Sequence, residues 1–380
     1  MLVSKSSKTF PSYDSNQELT SYVNQIPFLK PLEISKMIRE LGYVGQEGAV
    51  SVVSLMAYRH ISRLRRIYID GISSELLPPK SNILLIGPTG VGKTFLIEIL
   101  FRNILNLPTV IVDMTSYSET GYMGQDAKNI LVRLLYAADL NPVACSVGVV
   151  CLDEFDKVAS GHSSSAIIGS PNSKDVSGIG VQRELLKMME NTSVSIKDQI
   201  SQNIISSNGI LSTSNIAFIA CGAFSGFKEL AEITKEGDIG FGKIPKPKSG
   251  KKIAVSYTEE DVNVARHFQK YGFLPELIAR FKRIIPFQAL SKEELKKILT
   301  DNIITRYTNE FFFEGIKLMV SDELLNLVVN RAIYRETGSR GVESVFARCL
   351  EEAAFEAYSQ DGVSIVRLLK KNDEIIFEIE

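Results

Sequence analysis

The residues best suited to chemistry in this sequence form a glycine-rich run that ends in a lysine and a threonine. The run matches G-x-x-x-x-G-K-[ST], a pattern whose glycines allow tight turns in which successive backbone N–H groups converge on phosphate oxygens. The ammonium of Lys93 can reach the terminal phosphates, and the hydroxyl of Thr94 can ligate Mg²⁺. We therefore predict a nucleoside triphosphate site with Mg²⁺. Its residues are Gly87, Pro88, Thr89, Gly90, Val91, Gly92, Lys93 and Thr94.

The segments on either side suit such a loop. Residues 82–86 are apolar and strand-like, and apolar residues recur at helical spacing over about 93–105. A helix that begins at the loop points the positive end of its dipole at the same phosphates. A turn with an incidental lysine is the alternative, and the strand–loop–helix order argues against it.

An acidic pair downstream could complete a catalytic site. An apolar run from Val149 to Leu152 leads directly into Asp153 and Glu154. In a phosphate-loop protein, the first acid is expected to hold Mg²⁺ and the second to orient and polarise the attacking water. The alternative is a strand that merely ends in acidic residues, but its place downstream of the phosphate loop favours the catalytic interpretation. The pair indicates hydrolysis of the nucleotide rather than phosphate transfer to a second substrate.

Apolar runs alternate with amphipathic stretches through the first part of the sequence. Runs of this kind, separated by helices, predict an α/β fold with a parallel sheet covered by helices on both faces. The predicted strands are 82–86, 109–113, 147–153 and 215–221, and the predicted helices are about 32–41, 48–69, 93–105, 125–138 and 179–190.

The sequence changes character after Pro286. Ser291 and Glu294 have the spacing of a capping box that opens a helix to about 312, and further helices are predicted up to about 335 and 359. Apolar segments at 363–369 and 374–379 could add a small sheet. We expect three parts: a disordered polar leader at 1–26, a large α/β nucleotide-binding domain at 27–286 and a smaller, mostly helical domain at 287–380.

Composition argues against several classes of protein. The formal net charge of −1 offers no general attraction to nucleic acid or to an anionic membrane, and no run approaches the length of a membrane-spanning helix. The four cysteines contain no C-x-x-C pair and only three histidines accompany them, so we expect reduced thiols and no zinc site. Because the sequence starts without an apolar leader, we expect a cytoplasmic protein without nucleic-acid or membrane partners.

The acidic pair belongs to a longer motif. The run Asp-Glu-Phe-Asp-Lys at 153–157 resembles the second nucleotide motif of AAA+ ATPases, and the chain as a whole resembles the ClpX type of protein unfoldase. The resemblance extends over about residues 28–380. It implies ATP and Mg²⁺ as cofactors, and an AAA+ phosphate-loop fold with a C-terminal lid domain.

Three further segments resemble motifs of that family that contact nucleotide. The segment around Val44 (Tyr-Val-Gly-Gln-Glu) resembles the box that encloses the adenine base. The segment ending in Arg280 (Leu-Pro-Glu-Leu-Ile-Ala-Arg) resembles the one that carries the arginine finger, which implies a contact with the neighbouring subunit's site. The segment around Arg340 (Thr-Gly-Ser-Arg-Gly) resembles the sensor-2 motif of the lid. The implied catalytic residues are Lys93, Asp153, Glu154, Arg280 and Arg340.

Two other segments resemble parts of the family that handle proteins. The run Gly-Tyr-Met-Gly resembles the pore-loop signature, so the resemblance implies that Tyr122 and Met123 grip an unfolded chain. Ile239, Gly240 and Phe241 occupy the place of the tripeptide that docks on the ClpP peptidase. An apolar tripeptide of this kind is costly in water unless it fills a partner's pocket.

Together these matches imply a homo-hexamer that hydrolyses ATP and threads unfolded or tagged proteins through a central pore, into a ClpP-like peptidase. A stand-alone remodelling chaperone that acts without a peptidase is the alternative. An AAA+ nucleic-acid motor is a third class, which the near-neutral charge disfavours.

The sequence departs from the family pattern in four places. In one of them, Ile179 stands where the second pore loop of the family favours an acid. The sequence also carries no counterpart of the four-cysteine zinc module, and residues 195–212 lack the basic Arg-Lys-His pore-entrance loop. A sensor-1 residue is expected at the end of the strand at 215–221, but no Asn or Thr stands there. Cys221 and Ser225 are the candidates for that role.

Overall fold

A computed structural model of the chain describes most of its residues. They are 14–117, 127–159, 176–190, 193–195, 210–227, 265–335, 337–371 and 374–380. A five-stranded sheet flanked by helices comes first along the chain, and a group of helices with a three-stranded sheet follows it. The predictions of an α/β fold and of a helical C-terminal region are confirmed.

The central sheet is parallel throughout. Its strands, in their order across the sheet, are β2 (Thr109–Asp113), β3 (Val149–Asp153), β6 (Ala217–Gly222), β1 (Asn82–Ile86) and β7 (Phe281–Pro286). Leu84 and Ile86 of its strand β1 belong to one apolar core, whereas Ile83 and Leu85 belong to another. Both faces of the sheet are therefore buried, which explains why its inner strands are mostly apolar runs. Two further strands, β4 (Ser193–Ser195) and β5 (Ile210–Ser212), form a separate antiparallel pair.

Helices supply the other side of each core. The helices are α1 (Asp14–Gln25), α2 (Pro31–Glu40), α3 (Glu47–Tyr68), α4 (Lys93–Glu98), α5 (Asn129–Ala137), α6 (Pro142–Cys145), α7 (Val176–Met189), α8 (Ala265–Tyr271) and α9 (Pro275–Ile278). Residues of α1 to α4 complete one core, and residues of α5 to α9 complete the other. A π-helical turn, Ile99–Ile104, extends α4, and single 3-10 turns occur at Ser74–Leu76, Met114–Ser116 and Phe155–Val158.

The prediction of a disordered leader at 1–26 is wrong for residues 14–25, which form α1. Val23 and Ile26 are buried in the core that α3 shares, and the Thr20 hydroxyl donates a hydrogen bond of 2.8 Å to the carbonyl oxygen of Tyr68. The polar composition of this segment concealed one apolar face at helical spacing, formed by Leu19, Tyr22, Val23 and Ile26.

The C-terminal part has an apolar core of its own. The capping box forms as predicted: the Ser291 hydroxyl accepts from the N–H of Glu294 at 3.1 Å, and the Glu294 carboxylate accepts from the N–H of Ser291 at 2.7 Å. The three-stranded sheet of this part has the order β10 (Glu374–Ile379), β9 (Ile365–Lys371) and β8 (Lys317–Val320). The elements are α10 (Lys292–Ile298), a π-helical turn (Leu299–Ile304), α11 (Thr305–Phe313), β8 (Lys317–Val320), α12 (Asp322–Tyr334), α13 (Gly338–Tyr358), β9 (Ile365–Lys371) and β10 (Glu374–Ile379).

Four strands were not predicted from the sequence: the antiparallel pair β4 and β5, and the strands β7 and β8. Strand β7 reads Phe-Lys-Arg-Ile-Ile-Pro and lies at one edge of the central sheet, where polar side chains can face solvent. Strand β8 is four residues long and pairs with β9. None of the helices in the described part of the chain is both long and apolar enough to cross a membrane.

Candidate functional site

The phosphate loop connects β1 to α4 at the carboxyl end of the sheet. Gly90 and Gly92 have φ angles of +74° and +88°, which side chains rarely tolerate, so the turn itself requires these two glycines. Gly92 is the residue that caps α4, and the helix starts at Lys93. The loop thus presents the amino end of a helix, as the sequence motif predicts.

Lys93 lies inside this loop and is only 8% exposed. Its ammonium donates to the carbonyl oxygens of Gly87 and Pro88, at 2.7 and 2.8 Å. Burial lowers the pKa of Lys93, and nearby Asp153 is among the groups that counteract that shift. The carbonyl bonds hold the positive charge at the mouth of the loop, where phosphate oxygens can exchange for them.

Thr94, in the first turn of α4, meets the acidic pair at the end of β3. The hydroxyl of Thr94 donates to an oxygen of Asp153 at 2.9 Å, and the other oxygen of Asp153 accepts the N–H of Glu154 at 2.9 Å. Glu154 itself has a φ angle of +52°, in the left-handed region that non-glycine residues seldom occupy. Such backbone strain is most often found at functional sites. The structure therefore brings together the groups that the sequence assigned to the metal and to the attacking water.

The C-terminal part closes the site from above the phosphate loop. The N–H and the hydroxyl of Ser339 both donate to the carbonyl oxygen of Gly90, at 3.0 and 2.7 Å. A Cβ atom on Gly90 would lie 2.6 Å from the carbonyl oxygen of Thr337, and one on Gly338 would lie 2.7 Å from the carbonyl oxygen of Gly90. Two backbones touch here, and Arg340 follows immediately on the cavity wall.

A third wall comes from the segment before α3. Val44 lines the cavity, and the Tyr43 hydroxyl donates to the carbonyl oxygen of Gly92 at 3.2 Å. Arg39 fixes this segment by donating to the carbonyl oxygens of Tyr43 and Gly45, at 3.2 and 2.6 Å. Burial raises the pKa of Tyr43, so its hydroxyl stays protonated and remains a donor.

These walls enclose one cavity of about 860 Å³, large enough for a nucleotide. Further polar bonds join the two parts of the chain around it. The side-chain amide of Asn302 donates to the carbonyl oxygen of Gly42 at 2.8 Å, and Gln46 and Gln288 exchange two hydrogen bonds. The predicted site residues on the cavity wall are Val44, Thr89, Gly90, Val91, Gly92, Lys93, Thr94, Asp153, Glu154 and Arg340.

Arg280 lies apart from this cavity, between α9 and β7. Its exposed guanidinium pairs with the carboxylate of Glu190 in the same chain, and its carbonyl oxygen accepts from the side-chain amide of Asn82 at 3.4 Å. The structure therefore does not bring Arg280 to the nucleotide cavity of its own chain. Its predicted role requires a second subunit.

The remaining predicted residues divide into two groups. Ser225 lies on the cavity wall, whereas Cys221 is buried behind it, with its sulfur 3.8 Å from that of Cys151. The predicted gripping and docking residues fall outside the described part of the chain. They are Tyr122, Met123, Ile239, Gly240 and Phe241.

Sequence reasoning missed several residues of the site. Phe95 is 46% exposed on the cavity wall and stacks on Tyr43 with ring centres 6.1 Å apart. Ser339 and Asn302 lie in the C-terminal part, and their contacts depend on how that part packs on the phosphate loop. Only Phe95 had a local signal, because it directly follows the phosphate-loop motif.

Comparison with known proteins bears on what this cavity does. A family model described as AAA domain (Cdc48 subfamily) matches residues 78–284. Over 351 residues the chain is 34% identical to the ATP-dependent Clp protease ATP-binding subunit ClpX 3 of Methylococcus capsulatus (strain Bath), an alignment that covers 88% of this chain and 78% of the relative. The chain belongs to the ClpX family of AAA+ ATPases.

A second ClpX-family protein gives the same result. The chain is 34% identical over 341 residues to the ATP-dependent Clp protease ATP-binding subunit ClpX of Azotobacter vinelandii, covering 87% of this chain and 74% of that protein. Membership of the ClpX family makes the chain a nucleotide-binding ATPase. It also agrees with the phosphate loop, acidic pair and closing C-terminal part that form one cavity.

Proposed function

We propose that this chain is the ATP-binding subunit of a Clp-type protease, a hexameric unfoldase that hydrolyses ATP and threads polypeptides through its pore into a ClpP-like peptidase. The observation that carries the proposal is the single cavity in which Thr94, Asp153 and Glu154 face Arg340 of the C-terminal part. The ClpX relatives, named as ATP-binding subunits of Clp proteases, support the same function.

Mg²⁺ fits the donors of this cavity. Thr94 and Asp153 offer a hydroxyl and a carboxylate oxygen 2.9 Å apart, and Mg²⁺ in nucleotide sites takes one or two protein oxygens together with phosphate oxygens and water. The bound ion would neutralise charge on the β- and γ-phosphates. Lys93 would hold the same phosphates, while Glu154 would orient a water molecule and accept its proton.

The position of Arg280 supports assembly with neighbouring subunits, as the proposed hexamer requires. Its guanidinium is exposed and lies away from the cavity of its own chain, so it is free to serve a neighbouring cavity once its pairing with Glu190 is exchanged. A surface ion pair of this kind is weak, contributing about 0–1 kcal/mol, so exchange costs little. Hydrolysis would then depend on contact between subunits.

We further propose that the domain boundary lies after Pro286, with 27–286 as the ATPase domain and 287–380 as a lid. In support, the apolar core of the C-terminal part draws its fully buried residues from Leu295 onward. The bonds of Ser339 to Gly90 would let the angle of the lid respond to the shape of the phosphate loop.

Degradation of a folded, tagged fluorescent protein tests the whole proposal. We expect loss of fluorescence when ATP and Mg²⁺ are present, and release of peptides only when a ClpP-type peptidase is present as well. A variant that lacks Ile239 to Phe241 should still unfold the substrate and hydrolyse ATP but should release no peptides. Unfolding that needs no peptidase, with no peptides when it is added, would instead indicate a stand-alone remodelling chaperone.

Tyr122 is expected to grip the substrate, so Tyr122→Ala should abolish most unfolding while ATP hydrolysis continues. The bulky, amphipathic side chain would hold an unfolded chain by steric and apolar contact, whatever the sequence of that chain. Unfolding rate and ATPase rate measured in the same reaction check this expectation. Tyr136→Ala is the matched control, because Tyr136 is 55% exposed on α5. Full-rate unfolding by Tyr122→Ala would refute the gripping role.

A further inference from the structure

Asp156 is a buried acid on the wall of the nucleotide cavity that the chemistry described above does not use. It belongs to the 3-10 turn Phe155–Val158, two residues after Glu154, and is 3% exposed. Burying an ionised carboxylate is costly unless hydrogen bonds or opposite charges compensate. Burial lowers the pKa of Lys93, and the charge of Asp156 partly counteracts that shift, so the two groups interact.

One oxygen of Asp156 connects the acidic turn to the phosphate loop. It accepts the N–H of Ala223 at 3.1 Å, just beyond the end of β6. The carbonyl oxygen of the preceding residue, Gly222, accepts the N–H of Gly87 at 3.2 Å. Gly87 is the first residue of the phosphate loop, and β6 lies between β3 and β1 in the sheet. A short path of hydrogen bonds therefore runs from the turn that carries Glu154 to the loop that carries Lys93.

The packing around this path of hydrogen bonds leaves no room for a side chain at Gly222. A Cβ atom on Gly222 would lie 2.8 Å from the Asp156 oxygen and 2.6 Å from the ring of Phe224. A glycine is therefore required at the end of β6 for the carboxylate to reach the Ala223 N–H. The residue type at the end of β6 is thus constrained by Asp156, in the turn that follows β3.

The second oxygen of Asp156 makes an ion pair and no hydrogen bond. It is buried without a hydrogen-bond partner in the described part of the chain, and the ammonium of Lys157 lies 3.5 Å away. The hydrogen bond of the first oxygen, which points along the path to the phosphate loop, is therefore the directional contact of this carboxylate.

We propose that Asp156 is a positioning residue for ATP hydrolysis, which ties the acidic turn to the phosphate loop through the end of β6. The tie holds Glu154 at a constant separation from Lys93, so that the attacking water and the γ-phosphate stay aligned. A displacement of about 1 Å at such a site can cost about 10²-fold in rate. The inference rests on the proposed nucleotide site but not on unfolding or on the peptidase.

The test compares Asp156→Ala with Asp156→Asn in the full-length chain. Alanine removes the acceptor, and we expect kcat for ATP hydrolysis to fall by about 10- to 100-fold while affinity for a fluorescent ATP analogue changes by less than about threefold. Asparagine keeps an oxygen that can accept the Ala223 N–H, so it should restore kcat to within about fivefold of wild type. Circular dichroism and thermal melting check that both variants fold.

A double-mutant cycle identifies the residue through which Asp156 acts. If Asp156 works by positioning Glu154, then Asp156→Ala should add nothing to the loss caused by Glu154→Gln. Additive losses would overturn the proposal, as would a wild-type kcat in Asp156→Ala or equal losses of kcat and affinity. If the alanine variant does not fold, a loss of more than about tenfold in Asp156→Asn would overturn it. Failure of the unfolding assay would leave all these readouts unaffected.

Discussion

Glu154→Gln will bind ATP as tightly as the wild-type chain and will hydrolyse it at least about 100-fold more slowly. Glutamine has the shape of glutamate but cannot accept a proton from the attacking water. Removing a positioned general base typically costs about 10²- to 10⁴-fold in rate. The strained backbone at this residue, with φ of +52°, is unaffected because both side chains impose the same restriction.

The measurement is steady-state ATP hydrolysis together with binding of a fluorescent ATP analogue. Glu356→Gln is the matched control, because it makes the same change at an exposed position on α13, and it should leave both quantities unaltered. If Glu154→Gln lowered kcat by less than about threefold, another group would have to be the base. A parallel loss of nucleotide affinity would instead mean that Glu154 helps to bind the substrate.

Arg280→Ala is expected to abolish hydrolysis in every subunit while leaving each nucleotide cavity intact. An arginine finger supplied by a neighbour contributes about 10³- to 10⁵-fold to the rate, because its charge stabilises the phosphoryl group in the transition state. Arg280 lies outside the cavity of its own chain, so nucleotide affinity of an isolated subunit should not change. Arg348→Ala, an exposed arginine on α13, is the control.

Mixed assemblies distinguish a finger that acts between chains from one that acts within a chain. Arg280→Ala and Glu154→Gln subunits are each inactive alone, but together they can form interfaces that combine an intact Glu154 with a neighbour's intact Arg280. We expect hydrolysis to reappear when the two variants are assembled together. No recovery, with assembly verified by light scattering, would show that Arg280 does not act between subunits.

Most of the secondary structure could be predicted from the sequence because its signals were local. The strand at 82–86 and the strand at 109–113 have the predicted bounds, since the apolar residues of each face both cores and stand in one short run. The capping box at Ser291 is also a local signal, and it located the start of α10 correctly. Helix α1 was missed because its apolar face is narrow and lies within a polar segment.

The candidate site divides in the same way. Motif spacing identified Lys93, Thr94, Asp153 and Glu154, because loop turns and strand ends determine their positions over a few residues. The roles of Ser339 and Asp156 could not be predicted, because each depends on contacts between segments far apart in the chain. Such contacts follow from how strands and helices pack, which the sequence pattern does not encode at short range.

The double hydrogen bond from Ser339 to the carbonyl oxygen of Gly90 has a consequence for mechanical load. A nucleotide that alters the shape of the phosphate loop would change the equilibrium between docked and undocked positions of the proposed lid. By the same linkage, a force that shifts the proposed lid towards the undocked position would change nucleotide affinity. A substrate that resists movement would thereby change nucleotide affinity at the phosphate loop. Each subunit could then adjust its nucleotide exchange to the load without a separate sensor.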